Sequence, residues 1–93
     1  MNKRYISGAN FEYKVKNYFE ELDVEVMRSA GSHGIDLAMF FRNKGEIWLV
    51  SCKKAGYWPK DELKELNDFK ENLKADKICL CYPIKGMIAI KEL

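Results

Sequence analysis

Long hydrophobic runs are missing from this chain: the longest apolar stretches, such as Leu37 to Phe41, are the size of a strand, so no membrane span is expected. The first residues, Met1-Asn2-Lys3-Arg4-Tyr5, carry charge but lead into no signal-peptide apolar segment, and an intracellular, cytoplasmic protein is expected. A strong excess of charge of one sign is missing too. Sixteen Lys and Arg against 14 Asp and Glu leave a net +2, which neither demands nor forbids a polyanionic partner, because local clustering of cations decides phosphate binding. The three cysteines, Cys52, Cys79 and Cys81, are odd in number and lack the Cys-x-x-Cys spacing of a zinc or redox motif, which leaves buried reduced thiols in strands as the expectation. There is no repeat, low-complexity tract or Pro/Gly/Ser linker, and 93 residues can bury only one small core, so a single domain over 1–93 is expected. A composition of 47% hydrophobic and 32% charged residues excludes the disordered and fibrous classes.

What the chain does have is periodicity. Phe11, Val15, Tyr18, Phe19 and Leu22 recur at helical spacing, which predicts a first helix from Ser7, as N-cap, to near Asp23. Val24 to Arg28 alternates as a strand, Ser29 to Gly34 is turn-forming, and Ile35 to Arg42 reads as a second strand. Asn43-Lys44-Gly45 turns into a third strand, Glu46 to Lys53. Pro59 suits the first turn of a second helix whose apolar face is Leu63, Leu66, Phe69 and Leu73. Two more short strands, Lys77 to Tyr82 and Met87 to Lys91, flank a Pro83-to-Gly86 turn. The order αβββαββ predicts an α/β (α+β) domain with a central mixed sheet of about five strands flanked by two helices; a doubly wound fold would need helices between most strands.

Asp36 follows the Gly-rich loop, and Ser51 and Lys53 lie two apart at the end of the third strand, so alternation puts them on one face. If strands two and three pair as a hairpin, the start of one meets the end of the other and Asp36 lies near Lys53. A carboxylate beside an ammonium at a sheet end suits a hard divalent cation and an attacking water, as phosphodiester hydrolysis requires. The plainer reading is a cross-strand ion pair.

Gly8-Ala9-Asn10-Phe11-Glu12 in the first helix, Val26-Met27-Arg28-Ser29-Ala30-Gly31-Ser32 before the aspartate, and the strand-end lysine together resemble the archaeal Holliday-junction resolvases and related PD-(D/E)XK nucleases. The resemblance covers most of the chain and implies a restriction-endonuclease-like domain with a structure-selective DNA endonuclease activity. In that family the helix glutamate, the aspartate and the acid of an E-x-K triplet hold magnesium, and the lysine orients the nucleophilic water. By position Glu12, Asp36 and Lys53 take those roles, and Ser32 matches a loop serine the resolvases use. The metal implied is Mg2+, or Mn2+ in its place.

One departure stands out. Where the family has the acid of E-x-K, this chain has Ser51, and a hydroxyl cannot replace a carboxylate's charge at magnesium. Some restriction endonucleases with Ser-x-Lys take the missing carboxylate from the following helix. On spacing, Glu65 is the first choice here and Glu62, inside the apolar face, the second; a solvated first-turn glutamate is the plain alternative for either.

The cations expected to contact DNA are Lys3, Arg4, Arg28, Lys54 and Lys60 together with Lys53, and His33 stands in the loop beside them as a possible phosphate contact or an exposed bystander. Tyr13, Tyr18, Phe19 and Trp48 read as core or dimer surface, and Trp58 as packing over the start of the second helix. Two symmetric nicks across a junction require two sites, so a homodimer is expected. The short chain also suits the pared-down product of a virus or other mobile element. The rival reading is a DNA-binding module that keeps the fold but has lost metal chemistry at Ser51; a third is a structural or protein-binding domain with no DNA partner.

Overall fold

The apolar stripe of Phe11, Val15 and Phe19 lays the first helix, α1 (Lys3–Glu21), on one face of a sheet. The computed structural model describes residues 3–28, 34–73 and 75–93, with side chains for 10–28, 34–72 and 75–93. Because α1 begins at Lys3, Ser7 lies inside the helix and is not its N-cap. Lys3-Arg4-Tyr5-Ile6 contain no breaker, and a helix already nucleated extends cheaply through one Ser and one Gly. The other end closes as expected near Asp23, which takes φ 63°. The Val24 N–H donates to the Phe19 carbonyl (3.1 Å) and the Asp23 N–H to the Glu20 carbonyl (3.1 Å), a Schellman closure sealed by the buried side chains of Phe19 and Val24.

The strands are β1 (Glu25–Arg28), β2 (Leu37–Phe41), β3 (Glu46–Cys52), β4 (Lys77–Ile84) and β5 (Met87–Glu92), with α2 (Lys60–Leu73) between β3 and β4. They line up in chain order, β1-β2-β3-β4-β5. Every neighbouring pair is antiparallel except β3 and β4, which are parallel and so need the crossover that α2 provides. The predicted order αβββαββ and the mixed sheet between two helices are borne out.

The boundaries differ for physical reasons. β2 starts at Leu37: Ile35 packs on the α2 side of the sheet while Leu37 packs on the α1 side, so the pleat is broken at Asp36. β4 continues through Pro83 to Ile84, leaving only Lys85-Gly86 as the turn. Pairing with β3 has already ended at Cys81, where a residue without an N–H is tolerated. Pro59 stands one place before α2, its carbonyl accepting the first helical bond from the Leu63 N–H at 2.9 Å.

The core has two layers. Phe11, Val15 and Phe19 meet Val24, Val26, Leu37, Met39, Val50, Cys79 and Cys81 on the α1 side, and Leu66 and Trp58 meet Ile35, Ile78 and Leu80 on the α2 side. Successive residues Ile78 to Cys81 of β4 point alternately into these layers, which is why a central strand covered on both faces reads as an unbroken apolar run. All three cysteines are free and lie in strands; burial pushes the Cys81 thiol up to about 12 and the Cys79 thiol up to about 11. Among the described residues no helix is long and apolar enough to cross a membrane.

Candidate active site

Pairing of Leu37 with Val50 sets the start of β2 against the end of β3, so Asp36 arrives beside Cys52 and Lys53. The Asp36 Oδ2 accepts a hydrogen bond from the Cys52 backbone N–H at 2.7 Å, and its own N–H donates to the Val50 carbonyl at 2.9 Å. Main chain, not a flexible side chain, therefore fixes this carboxylate. Burial pushes its pKa above the ordinary aspartate value, against the Cys52 bond and the Lys53 charge; the nearby Glu62 adds to the rise and Arg28 offsets it.

Glu12 reaches the same place from α1. Its pKa is also raised, by burial first and then by the Asp36 charge, with Arg28 acting in the opposite direction. From the other face α2 contributes Glu62, whose Oε2 lies 2.8 Å from Lys53 Nζ. That oxygen is shut off from solvent and has no aligned hydrogen bond, so its contact with the ammonium is ionic. Asp36, Glu12, Glu62 and Lys53 thus gather at one end of the sheet, two carboxylates having come from opposite layers. Among the described residues, no three acidic, thiol or imidazole side chains yet converge at metal-ligand distance.

Ser51 does something else. It is fully buried, and its Oγ donates to the Gly34 carbonyl at 2.8 Å, pinning the segment that delivers Asp36. Gly34 takes φ +75°, and the Glu62 carboxyl lies 3.7 Å from where a Cβ would stand. The hydroxyl at the position of the missing acid is committed to the fold.

The structure brings Glu62, not Glu65, to the sheet end. Leu66 points into the α2-side core with 0% exposure, and Glu62, one turn earlier on the same stripe, points the same way toward the sheet end. Glu65 is rotated about 100° from Leu66. It is exposed and lines a shallow hollow with Asp68, Phe69 and Asn72, away from Asp36.

Arg28, the last residue of β1, emerges at the same sheet end opposite Leu37. Its Nη1 donates to Tyr13 Oη at 3.0 Å, and its Cζ lies 5.0 Å from the Tyr13 ring centre. Tyr13 reads in the sequence as core or dimer surface, and only the fold brings it to Arg28. Lys54 and Lys60 are exposed, the one next to Lys53 and the other at the start of α2. Lys3 and Arg4 lie in the first turn of α1, but their side chains are outside the described set, as are Ser32 and His33 entirely. Trp58 packs in the α2-side core, as expected.

A restriction endonuclease family model matches residues 4–83. The crossover junction endodeoxyribonuclease Hjc of Methanocaldococcus jannaschii is 35% identical over 75 residues, covering 76% of this chain and 55% of that protein. The chain thus spans about half the length of that curated relative. The structure of Archaeoglobus fulgidus Hjc, a Holliday junction resolvase from an archaeal hyperthermophile, superposes with a TM-score of 0.70 over 94% of this chain and 71% of that one; at 18% identity this speaks for the fold. The resemblance to the archaeal resolvases is borne out, and a family match that runs from α1 into β4, across every element that carries the carboxylates and Lys53, means that the chain belongs to the restriction endonuclease family.

Proposed function

We propose that the protein is a structure-selective endodeoxyribonuclease, resembling the Holliday-junction resolvases, that hydrolyses phosphodiesters of branched or duplex DNA with Mg2+ or Mn2+. The observation that carries this reading is the meeting of Asp36 and Glu62 with Lys53 at one sheet end, with Glu12 beside Asp36. Family membership and the 35% identical junction endonuclease support it.

The donor set fits a divalent ion. All three acids offer hard oxygens; burial first, and then a neighbouring carboxylate, raises the pKa of Asp36 and Glu12, a cost to the charged form that a bound cation would offset, and Glu62 holds a buried oxygen without an aligned donor. Asp36, Glu12 and Glu62 would be the ligands, with Glu62 in place of the acid that Ser51 lacks. When bound, the ion lowers the pKa of a water and polarises the scissile phosphate. The protein's own residues do the rest. The Cys52 amide holds Asp36 still, and Ser51, through Gly34, sets the path of the chain into it. Lys53, at the sheet end, orients the nucleophilic water and offsets charge on the phosphate once Glu62 turns from it. Arg28, Lys54 and Lys60 at the same end, with Lys3 and Arg4 in α1, bind the flanking phosphates.

Two nicks across a junction need two sites, so the working form is a homodimer. Ile84, Met87 and Ile90 of the β4–β5 hairpin expose apolar surface that a second copy would cover.

The test is incubation with a labelled four-way junction and a linear duplex in magnesium or manganese. Cleavage that Asp36→Ala abolishes while DNA binding persists is expected. The buried, committed Ser51 favours one rival, a DNA-binding module without metal chemistry, in which the wild type binds the junction and cuts neither substrate.

A further inference from the structure

The Arg28–Tyr13 contact belongs to neither core layer. Tyr13 is 47% exposed and follows Glu12 on α1, while Arg28 leaves β1 beside the start of β2. The tyrosine holds the guanidinium twice, by its Oη at 3.0 Å and by its ring face at 5.0 Å. A free arginine surrenders rotamer freedom when a ligand orders it, and a guanidinium already held loses less. Among the described residues the Tyr13 hydroxyl takes one of the five N–H donors of the guanidinium, and two parallel N–H groups are enough to meet a phosphate bidentately. The charge so held acts on both Glu12 and Asp36. It stands next to the proposed reaction centre without being spent on a core contact.

We propose that Tyr13 is a positioning residue for DNA: its ring and hydroxyl hold Arg28 beside the Glu12–Asp36 pair, in the orientation that receives a backbone phosphate next to the one cut. This rests on the reading of the protein as a DNA-acting nuclease. Arg28 makes the contact and Tyr13 acts through it.

A double-mutant cycle tests the idea, with affinity for a labelled four-way junction measured in metal-free buffer so that nothing is hydrolysed. Arg28→Ala should weaken binding roughly 10-fold and Tyr13→Ala about 3- to 10-fold. Tyr13→Phe, which keeps the ring, should fall between Tyr13→Ala and wild type. The double variant should bind no more weakly than Arg28→Ala alone. Relaxation of the Arg28 Nε nitrogen by NMR should show an ordered side chain in the wild type and a mobile one in Tyr13→Ala, a change that a merely structural tyrosine would not produce. Additive losses, unchanged affinity in Tyr13→Ala, or an equally ordered Arg28 without Tyr13 overturn the proposal while wild-type binding leaves the nuclease reading standing. A wild type that binds no junction overturns both.

Discussion

A carboxylate partly out of water and close to another keeps its proton to higher pH than a free one, and Asp36 and Glu12 are both in this position. Since their folded-state pKa values lie above the unfolded ones, the folded state binds more protons between the two. Stability is therefore present below the unfolded carboxylate value, about 4, and is lost as pH rises through the folded value. Asp36→Asn keeps an oxygen for the Cys52 N–H but removes the charge. It should melt higher than wild type at neutral pH without metal, and the gap should close toward pH 4. Thermal melts across that range check this; parallel profiles for the two proteins would contradict it. Ser51 gives the second prediction at this scale. Replacing it with Ala strands the part-buried Gly34 carbonyl, and an unsatisfied acceptor there costs about 1 kcal/mol, the low end of the range for a buried one, readable as a lower denaturation midpoint. Asp36 and Lys53 were legible in the sequence because both lie at strand ends and pairing brings such ends together. The commitment of Ser51 to Gly34 was not, since it depends on a break in the pleat that no alternation pattern contains.

At the scale of elements, α2 decides which of its acids faces the sheet end. Leu66 fixes the rotation of the helix, and that rotation sends Glu62 toward Lys53 and Glu65 to solvent. Glu62→Gln should reduce junction cleavage by at least about 100-fold, a loss of metal ligation on the scale of other charge-stabilising groups. Glu65→Gln should leave it within about 2-fold. Single-turnover cleavage of a labelled junction compares the two, and equal losses would reject the assignment. The helices and strand order were readable because each apolar stripe announces the layer it covers: Phe11, Val15 and Phe19 one face, Leu63, Leu66 and Phe69 the other. The choice between Glu62 and Glu65 was not settled by spacing from Lys53. It follows from helix phase, which Leu66 sets and which favoured the residue already noted as lying inside the apolar face. The contact of Tyr13 with Arg28 joins α1 to β1 by packing alone, and nothing local in the sequence signals it.

For the whole molecule the near balance of charge limits how DNA can be held. A net charge of +2 supplies little long-range attraction, so on the proposed function DNA affinity would come from local cations: Arg28, Lys53, Lys54 and Lys60, with Lys3 and Arg4 of α1. Each phosphate neutralised contributes about −0.9 to the slope of log affinity against log salt, so these six cations should give a slope no steeper than about −5 per protomer. Titration of a junction between roughly 50 and 300 mM salt measures it, and a salt-independent affinity would rule out phosphate contacts as the basis of binding.

The single parallel pairing has a kinetic consequence. It divides the sheet into a meander, β1-β2-β3, and a hairpin, β4-β5, each of which closes over short connections, whereas β3 meets β4 only across α2. Loop-closure entropy makes the local pieces form first and their docking last. The bond from the Cys52 amide to Asp36 lies within the meander, whereas the bond from the Lys53 amide to the Cys81 carbonyl requires the docked state and the ion pair of Lys53 with Glu62 requires α2 to be laid against the sheet. Substitutions at Glu62 should then alter the unfolding rate and hardly touch the folding rate, with φ values near zero in stopped-flow experiments, while substitutions at Met39 or Val50 slow folding. The aspartate is in place before its partners arrive, and the assembled centre exists only when both halves of the sheet have met.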